Sequence, residues 1–138
     1  MENTMTTPAA AANAKTVEKP VLKVEKWHGD LTKSTSAYAW NLYHNGELLL
    51  TSGYRFPNMG IAANEAGTLI HMVANPLYVL KGERHSHGYR LSLRNTSHQE
   101  IASNGDWSDR DNLHKYESLI YTAFYLIRTS GVTIDINT

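Results

Sequence analysis

Residues 38–52 read YAWNLYHNGELLLTS. Tyr38, Trp40 and Leu42 alternate with less apolar residues, which is the pattern of a half-buried strand. The Asn45-Gly46 pair favours positive φ at both central positions of a two-residue hairpin turn. Three leucines follow the turn and predict the return strand. The stretch therefore predicts a β-hairpin with one buried face.

The same pattern returns later in the chain. A shift of 51 positions, from 38 to 89, takes Tyr38 onto Tyr89 and Leu69 onto Ile120. Between these pairs, Leu42, Leu50, Ser52 and Phe56 fall without a gap on Leu93, Ile101, Ser103 and Trp107. A repeat of this kind predicts the architecture before any single residue is interpreted. It carries no motif for a reaction, so shape is predicted more sharply than function.

Working outward from the hairpin, the first copy begins at Pro20 with a strand near Val21–Val24. A helix is expected from about Met59 to Ala74, and Asn75-Pro76 ends it. Its apolar positions fall on one face: Ala62, Ala66, Leu69, Met72 and Val73.

The second copy has the same order. We expect an opening strand at Leu77–Leu80, a polar turn at Gly82–Gly88, a strand at Tyr89–Arg94 and its return at His98–Ser103. Ser108 or Asp109 is a good N-cap for the following helix. Its apolar stripe comprises Leu113, Tyr116, Ile120, Ala123, Phe124 and Ile127. Val132–Asn137 alternates and predicts a closing strand.

The element order is βββα-βββα-β. One such module cannot bury both its sheet face and its helix stripe, whereas two modules related by a pseudo-twofold axis can. We therefore predict an α+β fold with helices packed on one side of an antiparallel sheet. Residues 1–19 are expected to be a disordered tail, 20–75 a first module, and 76–138 a second module with the closing strand. That strand could pair with the first module or with a neighbouring subunit.

Residues 45–52 (NGELLLTS), Tyr54 and Gly60–Ala62 (GIA) resemble the YegP-like family of small bacterial domains, which are often tandem. His98-Gln99, with Ile101 and Ser103, is similar to the second copy of such tandems. The sequence departs from the family in a shorter loop before Gly60 and in Asp111–Leu113, which stands where Gly-Ile-Ala is expected. The resemblance implies a tandem α+β fold without an established activity, and it carries over no catalytic residue.

Composition disfavours a dedicated nucleic-acid binder and excludes cysteine chemistry. The 13 basic residues balance 13 acidic ones, so the chain lacks the positive charge excess that supplies affinity for nucleic acids. The absence of cysteine excludes disulfides, thiolate metal sites and cysteine nucleophiles. We find no secretory signal and no segment near the ~20 apolar residues of a membrane span, and we expect a cytoplasmic protein.

Catalytic and metal chemistry is weakly signalled. His85 and His87 would face the same side of a strand, but a third metal ligand would have to come from afar, so we expect no metal and no cofactor. Asp106, Asp109 and Asp111 are explained by helix capping and the helix dipole. No nucleophile is paired by motif with a base, and we expect the protein not to be an enzyme.

Two equivalent loops are the candidate binding sites. Tyr54, Arg55 and Phe56 in one, and Asp106 and Trp107 in the other, place an aromatic side chain beside charge. We expect four further candidates to lie near one of these loops: Arg84, His85, His87 and Arg90. Aromatic residues with arginine are typical of interaction hot spots. In the competing interpretation, the two loop aromatics only pack the helices against the sheet.

The sequence thus predicts a binding protein that forms a homodimer or a higher oligomer. One alternative is a phage or mobile-element counter-defence factor that binds a host defence protein or sequesters a small nucleotide. A second is a nucleic-acid-binding module, since a βββα unit with Arg90 and Arg94 resembles sheets that enter the major groove. A third is an uncharacterised hydrolase.

Overall fold

The structure is a computed structural model that describes residues 18–26, 37–52, 55–104 and 109–136. Within them the chain forms seven strands and two helices. The strands are β1 (Val21–Lys26), β2 (Tyr38–His44), β3 (Glu47–Ser52), β4 (Tyr78–His85), β5 (Gly88–Asn95), β6 (Glu100–Ser103) and β7 (Thr133–Ile136). The helices are α1 (Met59–Ala74), after β3, and α2 (Arg110–Ser130), after β6. Most of the predicted tail, residues 1–17, lies outside the described residues.

All seven strands of the described chain form one sheet in the order β4-β5-β6-β3-β2-β1-β7. Both helices pack on one side of it, so the fold is α+β. The closing strand β7 pairs with the first strand, and Thr133 N donates to Pro20 O over 2.9 Å. This pair is parallel, so the predicted antiparallel sheet is in fact mixed.

The core lies between the sheet and the two helices. The predicted bounds of α1 are confirmed, and its five predicted apolar positions are all buried. Helix α2 buries Leu113, Ile120, Ala123, Phe124 and Ile127. The Phe124 ring meets Tyr78 of β4 edge to face, with 5.0 Å between centroids. Burial of each such side chain contributes roughly 1.5–3 kcal/mol. Neither described helix has a stretch long and apolar enough to cross a lipid bilayer.

The first hairpin has the predicted turn, with φ of 53° at Asn45 and 78° at Gly46. The β2–β3 hairpin and the β5–β6 hairpin each contain a β-bulge. In the first, Leu42 pairs with Leu50 and Tyr43 with Leu48, which leaves Leu49 as the extra residue. The buried side chain of Leu49 thereby joins the core.

In the second hairpin, Leu93 pairs with Ala102 and Arg94 pairs with Glu100. The gap-free alignment predicted Ile101 as the counterpart of Leu50, and the strand pairing moves that counterpart one residue on, to Ala102. The cause is a longer turn between β5 and β6. Asn95 Oδ1 organises this turn by accepting hydrogen bonds from two backbone amides, and the turn residue His98 has a φ of 64°. The return strand therefore begins at Glu100 and not at His98.

The predicted polar turn at Gly82–Gly88 is wrong, because β4 continues to His85 and only Ser86 and His87 form the turn. Polar side chains hide this part of the strand from a search for apolar alternation, since they lie on an exposed sheet face. Gly82 marks close helix packing and not a turn. A Cβ atom at this position would lie 3.1 Å from Leu113 Cδ2 of α2.

Candidate functional site

The structure separates the predicted site residues. Phe56 follows β3, and its backbone exchanges two 2.8 Å hydrogen bonds with Tyr38 at the beginning of β2. Arg84 lies near the end of β4, paired with Tyr89, and His87 lies in the β4–β5 turn, so both are at the beginning of β5. The eight residues of β5 span roughly 25 Å at ~3.3 Å per residue, and the Phe56 end of the sheet is the end where β5 finishes. Arg84 and His87 therefore do not join Phe56 in one site.

Several of the predicted site residues cannot be placed in the fold. Tyr54, Asp106 and Trp107 lie outside the described residues, as does the side chain of His85. Asn104, which precedes the second loop, exchanges two 3.2 Å hydrogen bonds with Leu91 of β5. Asn104 therefore lies beside β5. That the second loop and Arg84 form one binding site stays a prediction.

His85 ends β4 and His87 lies in the turn, so the two histidines do not share a strand face as the metal hypothesis assumed. His87 is exposed. Among the described residues, no three His, Asp or Glu side chains gather as metal ligands would. The structure therefore brings no metal-ligating set together in this part of the chain.

The helix-free face of β4–β6 carries a compact ionic cluster. The Arg90 guanidinium lies 3.1 Å from the Glu100 carboxylate, and the Arg94 guanidinium lies 2.7 Å from that of Glu83. Buried Ser92 Oγ donates to Glu100 over 2.8 Å. A sheet that reads DNA needs cations directed towards phosphate or bases. Here carboxylates of the same sheet balance both arginine charges.

Arg55 and Phe56 differ in their surroundings. Arg55 is exposed, and its Nη1 donates to the Ser52 carbonyl over 3.4 Å. Partial burial lowers the pKa of Arg55, although a guanidinium stays charged at neutral pH. Phe56 is half-buried and packs against the core, as the packing interpretation of this residue expects.

Phe56 also lines a cleft of about 190 Å³ between α1 and the β5–β6 turn. Its apolar lining consists of Trp40, Phe56, Leu69, Met72 and Ile101. Trp40 and Leu69 are almost wholly buried, so this floor is held by the core itself. The apolar surface that the cleft exposes to solvent therefore comes mainly from the half-buried Phe56 and Ile101.

The rim of the cleft is polar and comes from two elements. Glu65 and Thr68 stand on the exposed side of α1, and Asn95 and Gln99 belong to the β5–β6 turn. Asn95 Nδ2 donates to Gln99 Oε1 over 3.0 Å, which fixes the two amides against each other. Thr68 Oγ1 donates to the Asn64 carbonyl over 3.2 Å, so its lone pairs remain as acceptors. The nine described residues that line the cleft include a carboxylate but no lysine or arginine.

Sequence reasoning found only Phe56 among these residues. The signal for the others lies in a comparison of the copies, because the 51-residue shift takes Glu65 onto Tyr116 and Thr68 onto Leu119. Tyr116 and Leu119 are half-buried and pack against the core of the structure. In this alignment Glu65 and Thr68 are therefore polar where the aligned residues of α2 pack against the core, and both line the cleft.

A second hollow, of about 220 Å³, lies beside the Asn45-Gly46 turn on the helix-free face. Lys23 and Tyr43, which line it, already contact neighbouring side chains. Lys23 Nζ lies 5.0 Å from the Tyr43 ring centroid, and the Tyr43 hydroxyl donates to Glu25 over 3.2 Å. Burial, followed by the Glu25 charge and this hydrogen bond, raises the pKa of Tyr43. We interpret these contacts as interactions that stabilise the sheet.

Comparison with protein-family models gives no match, and neither does comparison with curated protein sequences. Solved structures do match. The UPF0339 protein SO3888 from Shewanella oneidensis superposes with a TM-score of 0.58 at 15% identity, over 86% of this chain and 93% of that one. The protein of unknown function yegP from E. coli gives 0.56 at 19% identity, over 87% and 92%. The chain therefore has a YegP-like α+β fold, as the sequence motifs predicted.

Proposed function

We propose that the chain is an internally duplicated YegP-like protein that acts by binding, and that its first copy carries the binding site. Duplication is supported by features that recur 51 residues apart. The hairpin registers shift between Leu42 and Tyr43 and again between Leu93 and Arg94. The two copies meet in the antiparallel β3–β6 pair at the middle of the sheet, as a pseudo-twofold axis requires.

The observation that carries the functional proposal is the difference between the two helices. Glu65 and Thr68 leave a cleft over Trp40 in the first copy. Their counterparts Tyr116 and Leu119 pack against the core in the second. Replacing these half-buried side chains by polar rim residues forgoes part of the roughly 1.5–3 kcal/mol that full burial of a large apolar side chain contributes. An opening that costs this much is expected to serve a function.

Binding fits this cleft better than catalysis. Ligand sites are concave and mostly apolar, with a few polar groups that set orientation. Glu65 is the only titratable group among the described lining residues, so no partner is available there for paired acid–base chemistry. The carboxylate is therefore interpreted as a recognition group.

Transplanting the second copy's side chains tests the proposal. The double variant Glu65→Tyr, Thr68→Leu should fill the cleft and keep the helix. The matched control is Asn64→Tyr, which adds the same bulk at an exposed position of α1 outside the cleft lining. Ligand-observed NMR with a panel of single-ring fragments should detect binders of the natural chain and of the control but not of the double variant. An unchanged set of binders for the double variant would contradict the proposal.

Self-association is a second candidate, and the strand edges favour it. The outer edges of β4 and β7 are unpaired within the described residues, and both strands expose branched apolar side chains. Val79 is 48% exposed, and Ile134 is 52% exposed. Light scattering should report a dimer or larger species that Val79→Lys or Ile134→Lys converts to monomer. A natural chain that stays monomeric at a concentration on the order of 1 mM would rule this candidate out.

A further inference from the structure

The cleft between α1 and the β5–β6 turn has chemistry specific enough to indicate the kind of ligand, and this inference rests on the proposed binding function. Size is the first restriction. The cleft measures about 190 Å³. A dry cavity of roughly 150 Å³ accepts benzene, whereas pockets for drug-sized ligands begin near ~300 Å³. The available space therefore fits one ring with small substituents.

The side chains that line the cleft favour a planar ring. Phe56 and Ile101 supply half-buried aromatic and aliphatic surface, and Trp40, Leu69 and Met72 line the floor almost wholly buried. Aromatic rings pair by stacking or edge-to-face contact, and such pairs contribute beyond the area they bury. Trp40 is 2% exposed, so its ring is held in place before any ligand arrives. A planar ring gains most from a floor that is already ordered.

The rim determines the charge of the ligand. The Glu65 carboxylate and the Thr68 lone pairs accept hydrogen bonds, while the Asn95 and Gln99 amides bond to each other. Because no described lining residue is basic, an anionic ligand would face Glu65 without a counter-charge. A ligand with N–H donors would instead make a charge-assisted hydrogen bond to Glu65.

We infer that the cleft binds a single planar ring that carries amino or amidinium N–H donors, such as an amino-substituted heterocycle, with the donors directed at Glu65. A free base of this kind and its nucleoside share the chemistry. The phosphorylated nucleotide is disfavoured, because the cleft provides no cation for its phosphate.

Three probes of equal shape and different charge test this inference: benzamidine, benzamide and benzoate. Calorimetric or NMR titration of the natural chain should rank them in that order, with benzoate at least tenfold weaker than benzamidine. Glu65→Gln keeps the size of the side chain and removes its charge. We expect it to weaken benzamidine about fivefold to tenfold and to leave benzamide within a factor of two. Glu117→Gln on α2 is the matched control and should change neither affinity.

A second pair of probes distinguishes the sources of such a ring. Cytosine and cytidine, whose base is one amino-substituted ring, should bind, and cytidine monophosphate should bind more weakly than cytidine. Tighter binding of the monophosphate, or of benzoate over benzamidine, would overturn the ligand class while the binding function stood. Failure of every probe to bind the natural chain at millimolar concentration would overturn both. Equal binding to the filled Glu65→Tyr, Thr68→Leu variant would place the probes elsewhere and overturn the inference.

Discussion

Asn58 and Asp109, 51 positions apart, begin the two helices with the same bond. Asn58 Oδ1 accepts from the Ile61 amide over 2.9 Å, and Asp109 Oδ1 accepts from the Asn112 amide over 2.8 Å. Each bond satisfies one of the amides that a helix leaves without an internal partner. The sequence predicts Ser108 or Asp109 as the second cap, and the structure has Asp109 there and Asn58 at the first helix.

Removing either cap should destabilise the protein by a similar amount. We expect Asn58→Ala and Asp109→Ala each to lower the free energy of unfolding by about 1 kcal/mol in urea titrations. Asn58→Asp is the control, because aspartate caps equally well and its charge favours a helix N-terminus. If Asn58→Asp lowered the free energy of unfolding as much as Asn58→Ala does, the side-chain hydrogen bond would not be the source of the stability.

Two exposed glycines should respond to alanine with opposite signs. Gly46 has a φ of 78° in the hairpin turn, so Gly46→Ala should lower the free energy of unfolding by about 1 to 2 kcal/mol. Gly67 lies within α1, and a Cβ there would meet nothing within 4 Å. Gly67→Ala should therefore stabilise the protein by roughly 0.5 to 1 kcal/mol. Thermal and urea unfolding measure both, and effects of equal sign would contradict the assigned turn.

Neighbouring aromatic residues of α2 should differ in their importance for folding. Phe124 is fully buried, and Phe124→Ala should lower the free energy of unfolding by about 3 to 5 kcal/mol through lost burial and a cavity. Tyr125 is 58% exposed, and Tyr125→Ala should cost about 0.5 kcal/mol or less. Similar losses would mean that α2 is rotated relative to the sheet.

The contribution of each ion pair to the free energy of unfolding should depend on its burial. Glu83 and Arg94 are mostly shielded from solvent, and Glu83→Gln should lower the free energy of unfolding by about 1 to 3 kcal/mol. Glu47 and Lys115 are 4.0 Å apart and much more exposed, so Glu47→Gln should cost about 0.5 kcal/mol or less. Unfolding at low and at 1 M salt tests this, and a salt-sensitive Glu83 contribution would argue for a solvated pair.

Alkaline pH should destabilise the fold partly through Tyr43. Its pKa is raised above the ordinary 10.0 by burial and then by Glu25, so the folded state holds this proton more tightly than the unfolded state. The resulting stability is complete below about pH 10 and is lost as pH rises through the folded-state pKa. Tyr43→Phe should therefore lose less stability than the natural chain between pH 9 and pH 11, measured by urea unfolding. An identical loss in both proteins would remove Tyr43 as a cause.

Sequence reasoning predicted elements well where the determining contacts are local. The turn at Asn45-Gly46 and the bounds of α1 follow from backbone preference and from apolar spacing within a few residues. It failed at the end of β4, because Glu83 and Arg84 look like turn residues until Arg90 and Tyr89 are paired with them. It also predicted a gap-free repeat, since the extra residue in the β5–β6 turn leaves the apolar spacing of the flanking segments nearly unchanged.

The candidate site was predictable only in part. Phe56 was identified from its own sequence neighbours, but its partners in the cleft come from β2, α1 and the β5–β6 turn. Arg84 and His87 are predicted only to lie near one of the two loops, and the sheet places them at the end of β5 opposite Phe56. Residue type alone carries no information about which distant strands become neighbours.

The amino-acid sequence alone therefore specified the β and α elements, their order and the YegP-like resemblance, because turn conformation, helix caps and apolar periodicity act over a few residues. Tertiary structure decided that β7 pairs with β1 and that glutamates balance Arg90 and Arg94. It also decided that Glu65 and Thr68 border an open cleft, whereas Tyr116 and Leu119 pack against the core. These outcomes depend on which surfaces meet when the two helices close over one sheet, and that closure involves residues far apart in the chain.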